Sequence, residues 1–152
     1  MEEIVVVAQS RHSGDYQAIH YTLYSEKRKT GKRFARLYMG AGQSNAQHLA
    51  VIESLKALKK PCKVKLLSDA QKFVTAFNDG SMEKWAKNGF SKPKKQAELY
   101  KQIYQLLSHH EMEIQHLKSN QRDTFGDDTL TKILQYKDAR YIDGVEELYS
   151  LP

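Results

Sequence analysis

The hydrophobic pattern changes period several times along the chain, and each change marks an element. Ile4 to Ala8 is a continuous, mostly β-branched run, the pattern of a strand buried on both faces. Ser13-Gly14-Asp15 is a turn. Residues Tyr16 to Tyr24 then alternate, with Ala18, His20, Thr22 and Tyr24 on one side and Gln17, Ile19, Tyr21 and Leu23 on the other, which predicts a second strand. Lys27 to Lys32, centred on Thr30-Gly31, reads as a polar hairpin turn, and Phe34 to Met39 as a third strand ended by Gly40 and Gly42. From there the period lengthens. Ser44 or Asn45 is placed to cap a helix in which Leu49, Ile52, Leu55 and Leu58 recur at helical spacing along the run to Lys60. Lys63 to Leu67 is a fourth strand, and Ser68 a cap for a short helix bearing Phe73, Val74 and Phe77 until Asp79-Gly80 stops it. Residues 81 to 95 are a polar excursion holding Trp85 and Phe90. Leu99, Ile103, Leu106 and Leu107 mark a helix ending near His109, Met112 to Leu117 a fifth strand, and a last helix runs from about Asp127 to Tyr136.

Three strands joined by short turns, followed by alternating helices and strands, predict an α/β fold. Its sheet has five strands and is mixed, three antiparallel strands and then parallel ones, with helices on its faces. A length of 152 residues suits a single domain over 1–152, with 138–152 a tail or an extra helix. No apolar run approaches the length of a membrane span, and the start of the chain lacks a signal-peptide pattern. Cys62 has no partner for a disulfide, so a reducing cytoplasm is the expected setting and an inert thiol the expected role.

Charge changes this picture more than composition does. The net charge of +6 is segregated by region. Lys27, Arg28, Lys29, Lys32, Arg33 and Arg36 crowd one hairpin. Lys84, Lys87, Lys92, Lys94 and Lys95 follow one another with no acid between them, and Asp138, Asp143, Glu146 and Glu147 gather near the end of the chain. Basic stretches of this kind suit a polyanion, and they equally suit a solvated surface. Trp85 and Phe90, interleaved with the second set, favour a packed protrusion over a loose loop.

The stretch from Ser44 to Leu58, a polar Asn-bearing start followed by an apolar helix ending in Ala-Leu, resembles the first helix of ribonuclease HI. Val64 to Val74, with Ser68-Asp69-Ala70-Gln71, is similar to that family's fourth strand and the turn after it. Trp85, Asn88-Gly89-Phe90 and the lysines to Lys95 resemble its basic protrusion, Glu98-Leu99-Tyr100 the opening of the next helix, and Leu117-Lys118-Ser119 a later loop. The resemblance implies a ribonuclease H-like fold. It also implies a nucleic-acid interface using Asn45, Lys84, Trp85, Lys87, Lys92, Lys94, Lys95 and Lys118, with RNA–DNA hybrid or duplex as the partner.

The same resemblance implies a catalytic centre of four carboxylates holding two Mg²⁺ ions, since hard cations need oxygen ligands. Here that set is incomplete. The first position falls on Ala8 or Gln9, and the second on Gln47. Asp69 keeps the third. Asp128 keeps the fourth if the preceding loop is two residues shorter; otherwise the position is Leu130. An amide at Gln9 or Gln47 offers no negative charge, so Asp69 and Asp128 are left as the metal ligands of a weak or absent site. No cofactor is expected, with Mg²⁺ or Mn²⁺ required if any activity remains. The family's loop histidine is also missing, with residues 120–124 in its place.

Plainer roles stand beside these. Asp69, and Asp127 with Asp128, sit where a carboxylate simply complements a helix dipole. Gln47 is a polar residue that a hydrogen bond to Gln9 would satisfy, His48 faces either the centre or the surface, and the pair His109-His110 ends a helix. The expectation is a degenerate ribonuclease H-like protein that binds nucleic acid. An active metal-dependent nuclease using Asp69, Asp128 and Asp15 or Glu53 is one alternative. A scaffold for a protein partner near Tyr136, Tyr141 and Tyr149 is the other.

Overall fold

The long apolar run at the start becomes the centre of the sheet. In the computed structural model, which describes residues 1–136 and 145–150, strand β1 (Glu2–Ser13) pairs antiparallel with β2 (Tyr16–Ser25), and β2 with β3 (Thr30–Met39). On its other side β1 pairs parallel with β4 (Cys62–Ser68), and β4 with β5 (Glu111–His116). This is the mixed five-stranded sheet that the pattern predicts. A sixth strand extends it: β6 (Val145–Ser150) joins β3 antiparallel, giving the order β5-β4-β1-β2-β3-β6. Part of the expected tail or extra helix is therefore a strand, because β3 otherwise presents an open ladder edge with unpaired backbone groups. Asp138, Asp143 and Tyr141 lie outside the described residues. Nothing is described of the side chains of Tyr136, Glu146, Glu147 and Tyr149.

Helices cover both faces. Helix α1 (Gln43–Lys56) lays Ala50, Val51, Ile52 and Leu55 on Val6 and Ala8 of β1. Helices α2 (Gln71–Asn78) and α4 (Ala97–Leu107) complete that core with Phe73 and Ile103. On the opposite face, helix α5 (Thr124–Tyr136) packs Leu130, Ile133 and Leu134 against Ala18 and Ala35. No described helix is long and apolar enough to cross a membrane.

Several boundaries differ from the periodic reading. β1 continues past Ala8 to Ser13, since cross-strand pairing with β2 carries it through a polar stretch. α1 begins after Gly42 with no side-chain cap, so neither Ser44 nor Asn45 caps it. The excursion contains a helix, α3 (Ser81–Lys87), with Met82 buried, Trp85 edge-on to Tyr100 at 5.1 Å, and Phe90 against Tyr104 at 5.8 Å. Burial pushes the Cys62 thiol pKa upward, which suits an unreactive thiol.

Candidate active-centre remnant and basic groove

The parallel pairing of β1, β4 and β5 stops at one level, Ala8, Ser68 and His116, and the polar residues gather just beyond it. Ala8 stands opposite Ser68, and the Asp69 N–H donates to the Ala8 carbonyl at 3.3 Å. Alternation along β1 then separates two neighbours. Ser10 turns to β4, donating its N–H and Oγ to Asp69 Oδ2 at 2.8 and 3.1 Å. Gln9, fully buried, turns to the face under α5. There its Nε2 donates to Asp127 Oδ1 at 2.9 Å and to the Asp123 carbonyl at 3.1 Å, while its Oε1 accepts the Asp123 N–H at 3.0 Å.

Arg122 joins the two sides. Its Nε and Nη2 donate to Asp127 at 2.8 to 3.1 Å, its Nη1 to Asp69 Oδ2 at 3.3 Å, and its Nη2 to the Ser10 carbonyl at 3.0 Å. Arg11 adds a bond to Asp127 at 3.3 Å, and Arg33 pairs with Asp123. Three carboxylates thus meet three guanidiniums, a balance that leaves no surplus negative charge. Burial raises the Asp69 pKa, against the opposing pull of Ser10 and Arg122. At Asp127 burial also favours the neutral acid, but Arg122 and Arg11 outweigh it and the pKa falls.

These residues do not fit a divalent ion. Both Asp127 oxygens and Asp69 Oδ2 already accept protein hydrogen bonds, so of the four oxygens of this pair Asp69 Oδ1, buried, is the one without a hydrogen-bond partner among the described residues. A hard cation needs about six oxygens. Among the described residues no three His, Cys, Asp or Glu side chains converge as a metal site.

The predicted site residues fare differently. Asp69 is central. Asp128 is exposed, and the residue that reaches the centre is its neighbour Asp127, since adjacent helix positions point about 100° apart. Gln47 is half-buried on α1 and does not bond Gln9, whose side chain points to the opposite face of the sheet. His48 faces neither the centre nor the surface: it is buried, with Nδ1 2.7 Å from the Ser44 carbonyl and Nε2 3.0 Å from Tyr100 Oη. Glu53 pairs with Arg36 at 3.5 Å, so it offers no substitute ligand. Asp15 is exposed in the β1–β2 turn.

The nucleic-acid candidates lie on the α1 side. A groove of about 500 Å³ runs between α2, α3 and the start of α4, lined among others by Lys72, Trp85, Lys95, Gln96 and Tyr100. Lys84, Lys87, Lys92, Lys94 and Lys95 are all exposed, with Lys95 lining the groove, and Lys118 is exposed two residues after β5. Asn45 sits at the start of α1, its Oδ1 accepting from Gln96 Nε2 at 2.8 Å. The hairpin cations are partly spent within the fold, Arg28 on Glu2, Arg33 on Asp123 and Arg36 on Glu53.

Under α5, Gln9 stands opposite His20 in the β1–β2 ladder, and Gly126 presses on both. A Cβ on Gly126 would lie 2.6 Å from His20 Nδ1 and 2.9 Å from Gln9 Nε2. Gly126→Ala is therefore expected to destabilise by about 1–2 kcal/mol, overpacking costing more than the gain of about 1 kcal/mol in helix propensity. Chemical denaturation midpoints of the two proteins measure it, and an unchanged midpoint would contradict the packing.

Sequence reasoning did not identify Ser10, Arg11, His20, Arg122, Asp123 or Asp127 as site residues. The available signal was polar residues at strand positions, Gln9 and His20, that only burial explains. Arg122 and Asp123 carried none, lying in a loop.

Comparison with known proteins gives the family and the fold. The sequence pattern of the RNase H family matches residues 9–128. A ribonuclease H of Thermoanaerobacter sp. (strain X514) is 43% identical over 67 residues, which span 41% of this chain and 43% of that protein. The chain thus aligns with less than half the length of that curated relative. Among solved structures, LC9-RNase H1, a type 1 RNase H with the type 2 active-site motif, superposes over 99% of this chain and 78% of its own with a TM-score of 0.75 at 10% identity. LC11-RNase H1, solved in complex with RNA/DNA hybrid, superposes over 88% of this chain and 98% of its own with a TM-score of 0.63 at 14% identity.

Proposed function

This chain belongs to the RNase H family, and we propose that it is a nucleic-acid-binding member that grips RNA–DNA hybrid or a related duplex and hydrolyses it weakly or not at all. One observation carries the reading. Asp69 and Asp127 are bridged by a guanidinium of the same chain, while the lysines of α3 and of residues 92–95 remain exposed, Lys95 in a groove that also holds Trp85. The first feature removes the charge that a two-ion centre needs. The second offers phosphate contacts and an aromatic face, the means by which proteins hold a nucleic-acid backbone. The existence of a protein of the same fold in complex with RNA/DNA hybrid supports that ligand class.

Fluorescence anisotropy of a labelled hybrid across a salt series tests the binding. The logarithm of affinity should fall linearly with that of salt, by about 0.9 per phosphate neutralised. The double variant Lys84→Gln, Lys87→Gln should reduce that slope by about two. The hybrid should stay uncut with Mg²⁺ or Mn²⁺. Salt-independent binding, or none to hybrid, DNA or RNA duplexes, sinks the proposal. Metal-dependent cleavage that disappears in Asp69→Asn replaces it with an active nuclease.

A further inference from the structure

We propose that this centre carries its own cation: Arg122 neutralises Asp69 and Asp127 in place of a divalent ion, and Arg11 beside it contacts a phosphodiester of bound nucleic acid without metal. The two arginines are placed for different tasks. Arg122 is turned inward, its side chain only 20% exposed, with donors spent on Asp127, Asp69 and the Ser10 carbonyl. It holds the edge of β1, the turn after β4 and the start of α5 together, as a shared ion would. A divalent ion entering here must displace a bidentate guanidinium and then find ligands, where Asp69 Oδ1 is the one carboxylate oxygen of the pair without a hydrogen-bond partner.

Arg11 is turned outward. Its side chain is 48% exposed, and its Nε alone bonds Asp127, leaving both terminal nitrogens without a hydrogen-bond partner among the described residues. A guanidinium tethered on one edge presents a planar fork to solvent, the geometry that phosphate oxygens accept in pairs. Asp127 holds that fork beside the point where Ser10 of β1 meets Asp69 of the turn after β4.

The role of Arg11 rests on the binding reading above, whereas that of Arg122 does not, so the test has two arms. In the first, the full chain without nucleic acid is titrated with Mn²⁺ while water-proton relaxation is followed. No saturable binding is expected into the millimolar range, and the denaturation midpoint should not rise with Mg²⁺, as it must for any ligand of the native state. Arg122→Gln should gain Mn²⁺ binding if it folds; if it does not fold, the wild-type titration decides. In the second, hybrid affinity is measured in EDTA and in Mg²⁺. The two values should agree, and Arg11→Gln should weaken binding several-fold and lower the salt slope by about one. Saturable Mn²⁺ binding by the wild type, or hybrid binding that needs Mg²⁺, overturns the proposal. An Arg11→Gln variant with unchanged affinity and slope overturns the phosphate contact. Absence of hybrid binding in both buffers removes the binding reading and Arg11 with it, while the Mn²⁺ titration still decides Arg122.

Discussion

Arg122→Ala is expected to destabilise the fold by about 3 kcal/mol, the range for breaking a largely buried ion pair and leaving its partner uncompensated. For a domain of this size that lowers the melting temperature by about 9 °C. The cost has named parts. Asp127 loses a bidentate partner, the Ser10 carbonyl loses a donor, and Asp69, already buried with one oxygen unpartnered, loses its guanidinium. Water reaches the network at one side, since the Arg122 and Asp127 side chains are each 20% exposed, so the loss should fall at the lower end of that range. Arg122→Lys keeps the charge and loses the fork, and should recover less than half of the stability. Thermal melts of both variants, with Asp127→Ala and the double variant, complete the cycle. The double variant should lose less than the sum of its singles. A cost below about 0.5 kcal/mol for Arg122→Ala would mean that the network is an ordinary surface ion pair.

Acid should unfold the protein through His20. Burial holds its pKa down at about 4 from an ordinary 6.5, against the raising influence of Asp123 and Asp127 and with Arg33 helping to lower it. The ring is buried and neither nitrogen has a hydrogen-bond partner among the described residues. Between about pH 4 and 6.5 the unfolded chain carries a proton on this residue that the native chain does not. Stability therefore rises with pH across that window, by about 1.4 kcal/mol per pH unit and about 3 kcal/mol in all, and is fully present above it. His48, also held down by burial, adds in the same direction, whereas Asp69, held up by burial, opposes it. His20→Leu isolates the histidine's share. With no hydrogen bond to lose, the variant should match or exceed the wild type at acidic pH and show a flatter dependence. Denaturation midpoints at pH 7 and pH 4.5 test this, and equal slopes for the two proteins would refute it.

Much of the fold was legible in the order of residues. The β-type run from Tyr16 to Tyr24 and the helical spacing of Leu49, Ile52 and Leu55 needed no tertiary information, because each carries its own local period, although β2 is in fact buried on both faces. The boundaries that escaped share one cause. Ile4 to Ala8 is apolar on both faces and so says nothing of where β1 stops; pairing with β2 decides that. β6 escaped because its pairing with β3 joins residues more than a hundred positions apart.

For the site, Asp69 was readable because a strand, a turn and a helix surround it locally. Its partners were not. Asp127 and Asp128 are indistinguishable until the helix phase is known, and α5 starts at Thr124 rather than beside them. Gln9 and Ser10 are neighbours with opposite destinations, which only the phase of the strand assigns.

The sequence by itself determined the α/β order and the run of lysines around Trp85, since each is a matter of composition or local period, and in the reading proposed above it leaves a shortage of carboxylates in a ribonuclease H-like frame. Only the tertiary structure decided what fills that shortage. Arg122 lies 53 positions from Asp69 and 112 from Ser10. No local pattern links them. Residues 9 and 10 of β1, the turn after β4 and the start of α5 converge on one point, and there a buried carboxylate requires a cation.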